Sequence, residues 1–460
     1  MGGCLFLLHA FFFSAGASTS CLMANADGAA APPITLTDFK PETIRGTPGF
    51  FRVGQTHAGV WWLIDPDDSA FFSRGVNAVA RGVESPAAPG EVPAAEMESA
   101  ERDLVKRAQA SLRSWHVNTL GPRSAPEFAG RGFAETDNLE FINVAPQAAL
   151  RLGGARVPDV FDPKWVEAVE RRAAERCVWR GASAALIGYF TDEGLNWAQL
   201  PPENEPARVE RPSLLQICLS LEPSFPAYHA AWEFVLAAHG SDWAMLMRAW
   251  DVDLPNKEAL RQLTLAERAL TSAGYRRDQE RFSREFARRY FAATAGAIRR
   301  YDPHHLILGC NFGLAPAAAV IAECVSPHVD VLALSLSDSA MGERIDRDSR
   351  VQGMPVLASD FSWAHESFTI PVGPDEAEEL TSVERMLSRG RRALERAFTH
   401  PALIGCAWAD WSDAPGDVPP FGRGLVHVDG REAREHTELL SHLYARAETL
   451  RATRPYFNSP

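Results

Sequence analysis

Cysteine is scarce and unpatterned in this chain. Cys4, Cys21, Cys177, Cys218, Cys310, Cys324 and Cys406 are widely scattered with no C-x-x-C spacing, so neither a zinc site nor a disulfide framework is indicated, and most of them read as small buried hydrophobes. Positive charge is in deficit: 46 Lys and Arg stand against 59 Asp and Glu, a net charge of −13. Because binding a polyphosphate relies on clustered cations, this balance argues against nucleic acid and favours a neutral glycan over a heavily sulfated one. After the first residues no apolar run nears the roughly 18 needed to span a bilayer, and no internal repeat is visible. Cys4 to Phe13 is apolar and is followed by Ala24-Asn25-Ala26, so residues 1–26 resemble a secretory signal peptide, although no Lys or Arg precedes Lys40. The expectation is a secreted or periplasmic protein.

What is present is enough for a large core. The 460 residues, 46% hydrophobic and 10% aromatic, accommodate one large barrel with insertions or two ordinary domains. After a linker over 27–48, residues 49–69 carry aromatic and β-branched residues on both sides of His57-Ala58-Gly59, which predicts a β-hairpin. Eight strand candidates follow, beginning at Ala70–Asn77, Val117–Leu120, Glu140–Val144, Leu186–Phe190 and Leu306–Cys310. Val329–Leu334, Pro355–Ser359 and Leu403–Trp408 complete them. Helical periods lie between, most clearly Phe282, Phe286, Tyr290, Thr294 and Ile298 at four-residue steps. Strands alternating with helices imply parallel βα units, and eight close a barrel. The expected fold is therefore α/β, a (β/α)8 TIM barrel over 70–460, with an N-terminal β-hairpin extension and a long helical insertion after strand four, 198–279.

Two strands end in carboxylates beside aromatic residues: Ile187 to Trp197 contains Asp192 and Glu193, and Pro355 to Trp363 contains Asp360. A pair of carboxylates at the C-terminal tips of barrel strands is the minimum equipment for glycosidic cleavage, since one must protonate the leaving oxygen while the other attacks or activates water. Glu193 is the candidate proton donor, with Trp197 as an apolar wall beside it, and Asp360 the candidate nucleophile or base. Asp192 reads as a supporting group. Trp363, Trp408 and Trp411 are candidate sugar-stacking platforms, with burial in the core the competing role, while the strand-end amides Asn77, Asn118 and Asn311 are candidates for sugar hydroxyls, with turn formation the competing role. No metal or other cofactor is indicated.

The order of segments resembles the β-agarase and β-galactosidase-like glycoside hydrolases of clan A. The resemblance runs from Gly49 to Arg451 and rests on Trp61-Trp62-Leu63-Ile64-Asp65-Pro66, Phe72-Ser73-Arg74-Gly75-Val76-Asn77, Asn118-Thr119-Leu120-Gly121 and Val160-Phe161-Asp162-Pro163. Ile187-Gly188-Tyr189-Phe190-Thr191-Asp192, Tyr301 to Gly309 and Trp408 to Pro415 extend it. It implies catalytic carboxylates after strands four and seven and a β-linked, neutral, galactose-containing poly- or oligosaccharide as substrate. The chain departs from the family's pattern where that chemistry resides. Asp-Asn-Glu-Leu after strand four becomes Asp192-Glu193-Gly194-Leu195, so the acid falls on Gly194 unless a one-residue slip brings Glu193 into its place. Ser-Glu-Phe after strand seven becomes Ser359-Asp360-Phe361, a carboxylate withdrawn by one methylene, about 1.5 Å. Ser335-Leu336-Ser337 stands for Asn-x-Tyr after strand six, and Asp410 for a Gln in the strand-eight segment. Three readings stay open: a hydrolase, a carbohydrate-binding barrel that has lost its acid, and a transglycosylase. The sequence carries no signal of oligomeric state.

Overall fold

Eight short parallel strands pair in a ring. They are β1 (Ser73–Val76), β2 (Thr119–Leu120), β3 (Ala134–Asn138), β4 (Leu186–Glu193), β5 (Leu306–Asn311), β6 (Leu332–Ser335), β7 (Val356–Phe361) and β8 (Leu403–Trp408). In this computed structural model, which describes residues 34–80, 94–146, 149–152, 155–193, 212–313, 318–337, 341–350, 353–371, 380–419 and 421–453, they are hydrogen-bonded in chain order. β8 returns to β1 through Cys406–Arg74 and Trp408–Val76, and a bridge from Phe312 to Leu334 joins β5 to β6. A parallel sheet covered by helices buries both faces, and β5 and β8 are accordingly buried at every residue. The expected signal peptide, Gly194 and Trp197 lie outside the described residues.

The third strand is not where the apolar run predicts it. Phe141–Asn143 is a 3₁₀ turn, and the strand is the polar stretch Ala-Glu-Thr-Asp-Asn at 134–138. Its outward carboxylates are met by ion pairs from the helix Pro163–Arg180: Arg176 reaches Asp137 at 2.8 Å and Arg180 reaches Glu135 at 2.6 Å. Ion pairing thus does what apolar packing does elsewhere around the barrel. Asp162 caps that helix by accepting from the Lys164 N–H at 2.9 Å, with Pro163 at its first position.

Ahead of the barrel, Arg52–Gln55 pairs antiparallel with Trp61–Ile64, which pairs with Ala70–Phe71. Arg451, from the last helix Arg434–Thr453, ties this sheet to the start of β8. Its guanidinium donates to the carbonyls of His400 (2.9 Å), Pro401 (3.2 Å) and Trp61 and lies over the Trp62 ring, 4.8 Å from the centroid. Among the described residues after β4 come four helices, Leu214–Leu219, Pro226–Ala238, Trp243–Trp250 and Lys257–Leu265, and then the long helix Ala273–Tyr301. The long helix buries the stripe Phe282, Phe286, Tyr290, Thr294 and Ile298. Among the described residues no helix is long and apolar enough to cross a membrane.

Glycine is required where strands approach most closely. A Cβ on Gly188 of β4 would stand 2.2 Å from the Leu306 carbonyl oxygen of β5, and Gly309 holds a φ of +71° at a register shift of β5. Gly188→Ala should therefore destabilise by about 1–3 kcal/mol, the usual cost of overpacking, whereas Gly296→Ala, on an exposed helical position with nothing within 4 Å, should be neutral or gain up to about 1 kcal/mol. Urea unfolding of both variants checks this; equal midpoints would contradict the barrel packing described.

Candidate active site

The tip of β4 carries three consecutive polar residues with different surroundings. Thr191 and Asp192 are fully buried. Asp192 accepts from the Ile142 N–H at 2.9 Å through Oδ1 and from the Tyr290 hydroxyl through Oδ2, and that hydroxyl lies 2.9 Å from Thr191 Oγ1. Asp192 thereby fastens the β4 tip to the turn after β3 and to the long helix. Burial, opposed by these two hydrogen bonds, pushes its carboxyl up to about 7. Glu193 is one-third exposed and ion-paired with Arg123, which follows β2.

Across the mouth, Asp360 near the end of β7 is mostly buried. Its Oδ1 accepts from Arg423 at 3.1 Å, and its Oδ2 lies 3.5 Å from the Ser335 hydroxyl at the end of β6. Burial raises this carboxyl above the ordinary range; Arg423 opposes the shift, Glu193 and Asp410 reinforce it, and Arg123 opposes it. Glu193, Asp360, Asp410, Arg123 and Arg423 thus form one electrostatic group, with Asp410 Oδ2 3.9 Å from Arg423 Nε.

A small, half-open recess lies beside them, lined by Asn77, Pro122, Arg123, Asn138, Phe190, Asp192, Glu193, Asn311 and Ser359. Asn77 donates to the Ser359 carbonyl at 2.9 Å, and the Ser359 hydroxyl donates to Asn311 Oδ1 at 2.8 Å. Among the described residues no three His, Cys, Asp or Glu side chains come together as a metal-holding group.

Of the residues singled out in the sequence, Glu193, Asp192, Asn77 and Asn311 line this pocket, and Asp360 and Asp410 join it through their charges. Asn118 does not reach it. It precedes β2, at the opposite end of the barrel, where its Oδ1 accepts from the Arg74 N–H (2.8 Å) and its Nδ2 donates to the Phe72 carbonyl (2.9 Å). The three tryptophans are also corrected, because each is too buried to stack on a sugar. Trp363 and Trp408 pack edge-to-face at 4.6 Å and donate to His436 Nδ1 (2.9 Å) and the Arg423 carbonyl (2.6 Å), while Trp411 lies 5.5 Å from Trp115. Arg123, Asn138, Ser359 and Arg423 were not anticipated. The turn Gly121-Pro122-Arg123 directly after β2 was a usable signal for Arg123; Arg423 had only its flanking glycines.

No family model matches the chain. It is 22% identical over 439 residues to β-agarase A of Vibrio sp. (strain JT0107), the match covering 82% of this chain; the chain spans only 43% of that relative's length. Among solved structures, an exo-β-agarase superimposes with a TM-score of 0.66 at 15% identity over 90% of this chain and 67% of the other. The agarase AgWH50C gives 0.66 at 17%, covering 88% and 66%. The chain is thus similar to a β-agarase in sequence, and it shares the fold of these agarases.

The buried Asp192 makes a prediction about stability. Its folded value near 7 stands above the ordinary 3.8, so between those limits the folded state keeps a proton that the unfolded chain releases. The associated stability is full below about pH 4 and is lost as pH rises through 7. Asp192→Asn keeps an acceptor for the Ile142 N–H and removes the titration. Its melting temperature relative to the parent should climb from about pH 5 to pH 8; a constant difference across that range would remove Asp192 from the account.

Proposed function

We propose that this chain is a glycoside hydrolase acting on a β-linked, neutral, galactose-containing poly- or oligosaccharide, with Glu193 and Asp360 as its carboxylate pair. The observation that carries the reading is the placement of these two groups, at the C-terminal ends of β4 and β7, coupled through space beside a pocket lined with three amides and the Ser359 hydroxyl. The likeness to β-agarase A supports the substrate class.

Hydrolysis requires a proton for the leaving oxygen and a carboxylate to attack the anomeric carbon or activate water. Glu193, the more exposed of the two and flanking the pocket, is assigned the proton transfer to the leaving group; to act it must part from Arg123. Asp360, from the opposite wall, stabilises the oxocarbenium-like transition state as nucleophile or base. Asn77, Asn138 and Asn311 offer amides to sugar hydroxyls. A negative charge already close to Asp360 in the form of Glu193 means that protonating one favours ionisation of the other, which is the relation an acid and a base need.

The engagement of each carboxylate by an arginine favours a second reading, a carbohydrate-binding barrel without turnover. Both readings predict glycan binding, and only the first predicts cleavage. Incubation with agar oligosaccharides and aryl β-galactosides should release reducing ends. Asp360→Asn and Glu193→Gln should each lower kcat/KM by at least about 100-fold, with melting temperatures near the parent's. Binding without cleavage across the panel would select the second reading, and near-normal turnover in Asp360→Asn would remove that residue from the machinery.

A further inference from the structure

We propose that Arg423 is a positioning residue whose guanidinium, presented by a loop folded around Asp413, holds Asp360 as an oriented carboxylate at the barrel mouth. This rests on the assignment of Asp360 above, and it accounts for a feature that assignment leaves unexplained: how an aspartate, one methylene shorter than a glutamate, is held in one working position.

The loop is built from its neighbours inward. Asp413 is buried; its Oδ1 accepts from the Gly424 N–H at 2.8 Å and its Oδ2 meets His427 Nδ1 at 2.8 Å. The residues on either side of Arg423 press directly on Asp413. A Cβ on Gly422 would come 2.1 Å from Asp413 Oδ1, and one on Gly424 would come 2.0 Å from the Asp413 backbone nitrogen. The Arg423 carbonyl is fixed in turn by the indole N–H of Trp408, at the end of β8, at 2.6 Å. Backbone held on three sides leaves the side chain one task, which is to reach across to β7. There it donates to Asp360 Oδ1 at 3.1 Å while its Nε stays 3.9 Å from Asp410.

Asp360 needs such a partner. Facing it are Glu193 from β4, Asp410 from the segment after β8 and Ser335 from β6, with Arg123 from the segment after β2 the other cation. Two negative neighbours and a mostly buried position all disfavour its charged form. An opposite charge within about 4–6 Å restores it, by 1–3 pH units in typical cases, and a guanidinium also fixes direction, which a diffuse field does not.

The test is a set of melting curves and rate profiles on the full chain: parent, Arg423→Met, Arg423→Gln, Arg423→Lys, and Arg423→Met in the Asp360→Asn and Asp410→Asn backgrounds. Parent and Arg423→Met should differ least at the acid end of the range, where protonation of Asp360 removes the charge that Arg423 faces. They should diverge as pH rises, with the variant falling behind. The divergence should vanish in Asp360→Asn and persist in Asp410→Asn. In rate profiles, Arg423→Met and Arg423→Gln should lose at least about tenfold in kcat with a smaller change in KM, and their acid limb should move up by about 1 pH unit or more; Arg423→Lys should recover part of both. Melting curves that never diverge, or that diverge equally in Asp360→Asn, overturn the proposal. Divergence without hydrolysis of any glycan would leave the Arg423–Asp360 coupling standing and remove the hydrolase reading instead; hydrolysis with no divergence would do the reverse.

Discussion

Like charges brought together on a partly buried surface set the terms for everything at the mouth of this barrel. Glu193, Asp360 and Asp410 converge from three places in the chain, and Asp360 is mostly withdrawn from water. Such a cluster persists only if cations stand within a few ångströms, and among the described residues two do: Arg123 on Glu193 and Arg423 on Asp360. Neither arginine sits on a barrel strand. One is delivered by the turn after β2 and the other by the loop after β8, so the ring of strands places the carboxylates and the loops supply their cationic partners. The buried Asp192 completes the frame in a different way, by anchoring the β4 tip through neutral hydrogen-bond donors.

The parts of this arrangement that were legible in the sequence are those that depend on burial on both faces of a strand. Ile187 to Phe190 and Val356 to Ser359 are apolar runs ending in carboxylates, and the structure carries them as β4 and β7. The third strand was not legible because its outward positions, Glu135 and Asp137, are polar and are matched by Arg180 and Arg176, so an apolar run three residues further on drew the assignment away. The tryptophans misled for a related reason. A large aromatic at a strand tip has two ways to point, and pattern alone does not separate the cleft from the wall; Trp363 and Trp408 face each other within the wall between β7 and β8. Arg423 was invisible because its contact with Asp360 spans 63 positions and its presentation depends on two glycines pressed against Asp413.

The departures from the resembled family acquire a physical sense together. A shorter carboxylate on β7 and serine rather than a larger polar group after β6 fall in one corner, in which Ser335 lies 3.5 Å from Asp360 and Arg423 3.1 Å from it. On the β4 side the altered residue is Glu193, one position earlier than the resembled family's acid, and it is ion-paired with Arg123. Under the proposed hydrolase reading, a substrate hydroxyl or glycosidic oxygen entering the pocket would compete for that ion pair, and opening of Glu193 would be the step on which turnover depends.

The most direct measurement is a crystal structure of Asp360→Asn with a β-linked galactose-containing oligosaccharide bound. The account predicts a sugar in the pocket beside Asn77 and Asn311, Glu193 released from Arg123 and about 2.6–3.2 Å from the scissile oxygen, and residue 360 on the far side of the anomeric carbon. The separation between the Glu193 carboxyl and the amide that replaces the Asp360 carboxyl would then read out the stereochemistry, about 5–5.5 Å for retention and 6.5–9.5 Å for inversion. An oligosaccharide bound with Glu193 still closed on Arg123, and no carboxyl in reach of the glycosidic oxygen, would contradict it.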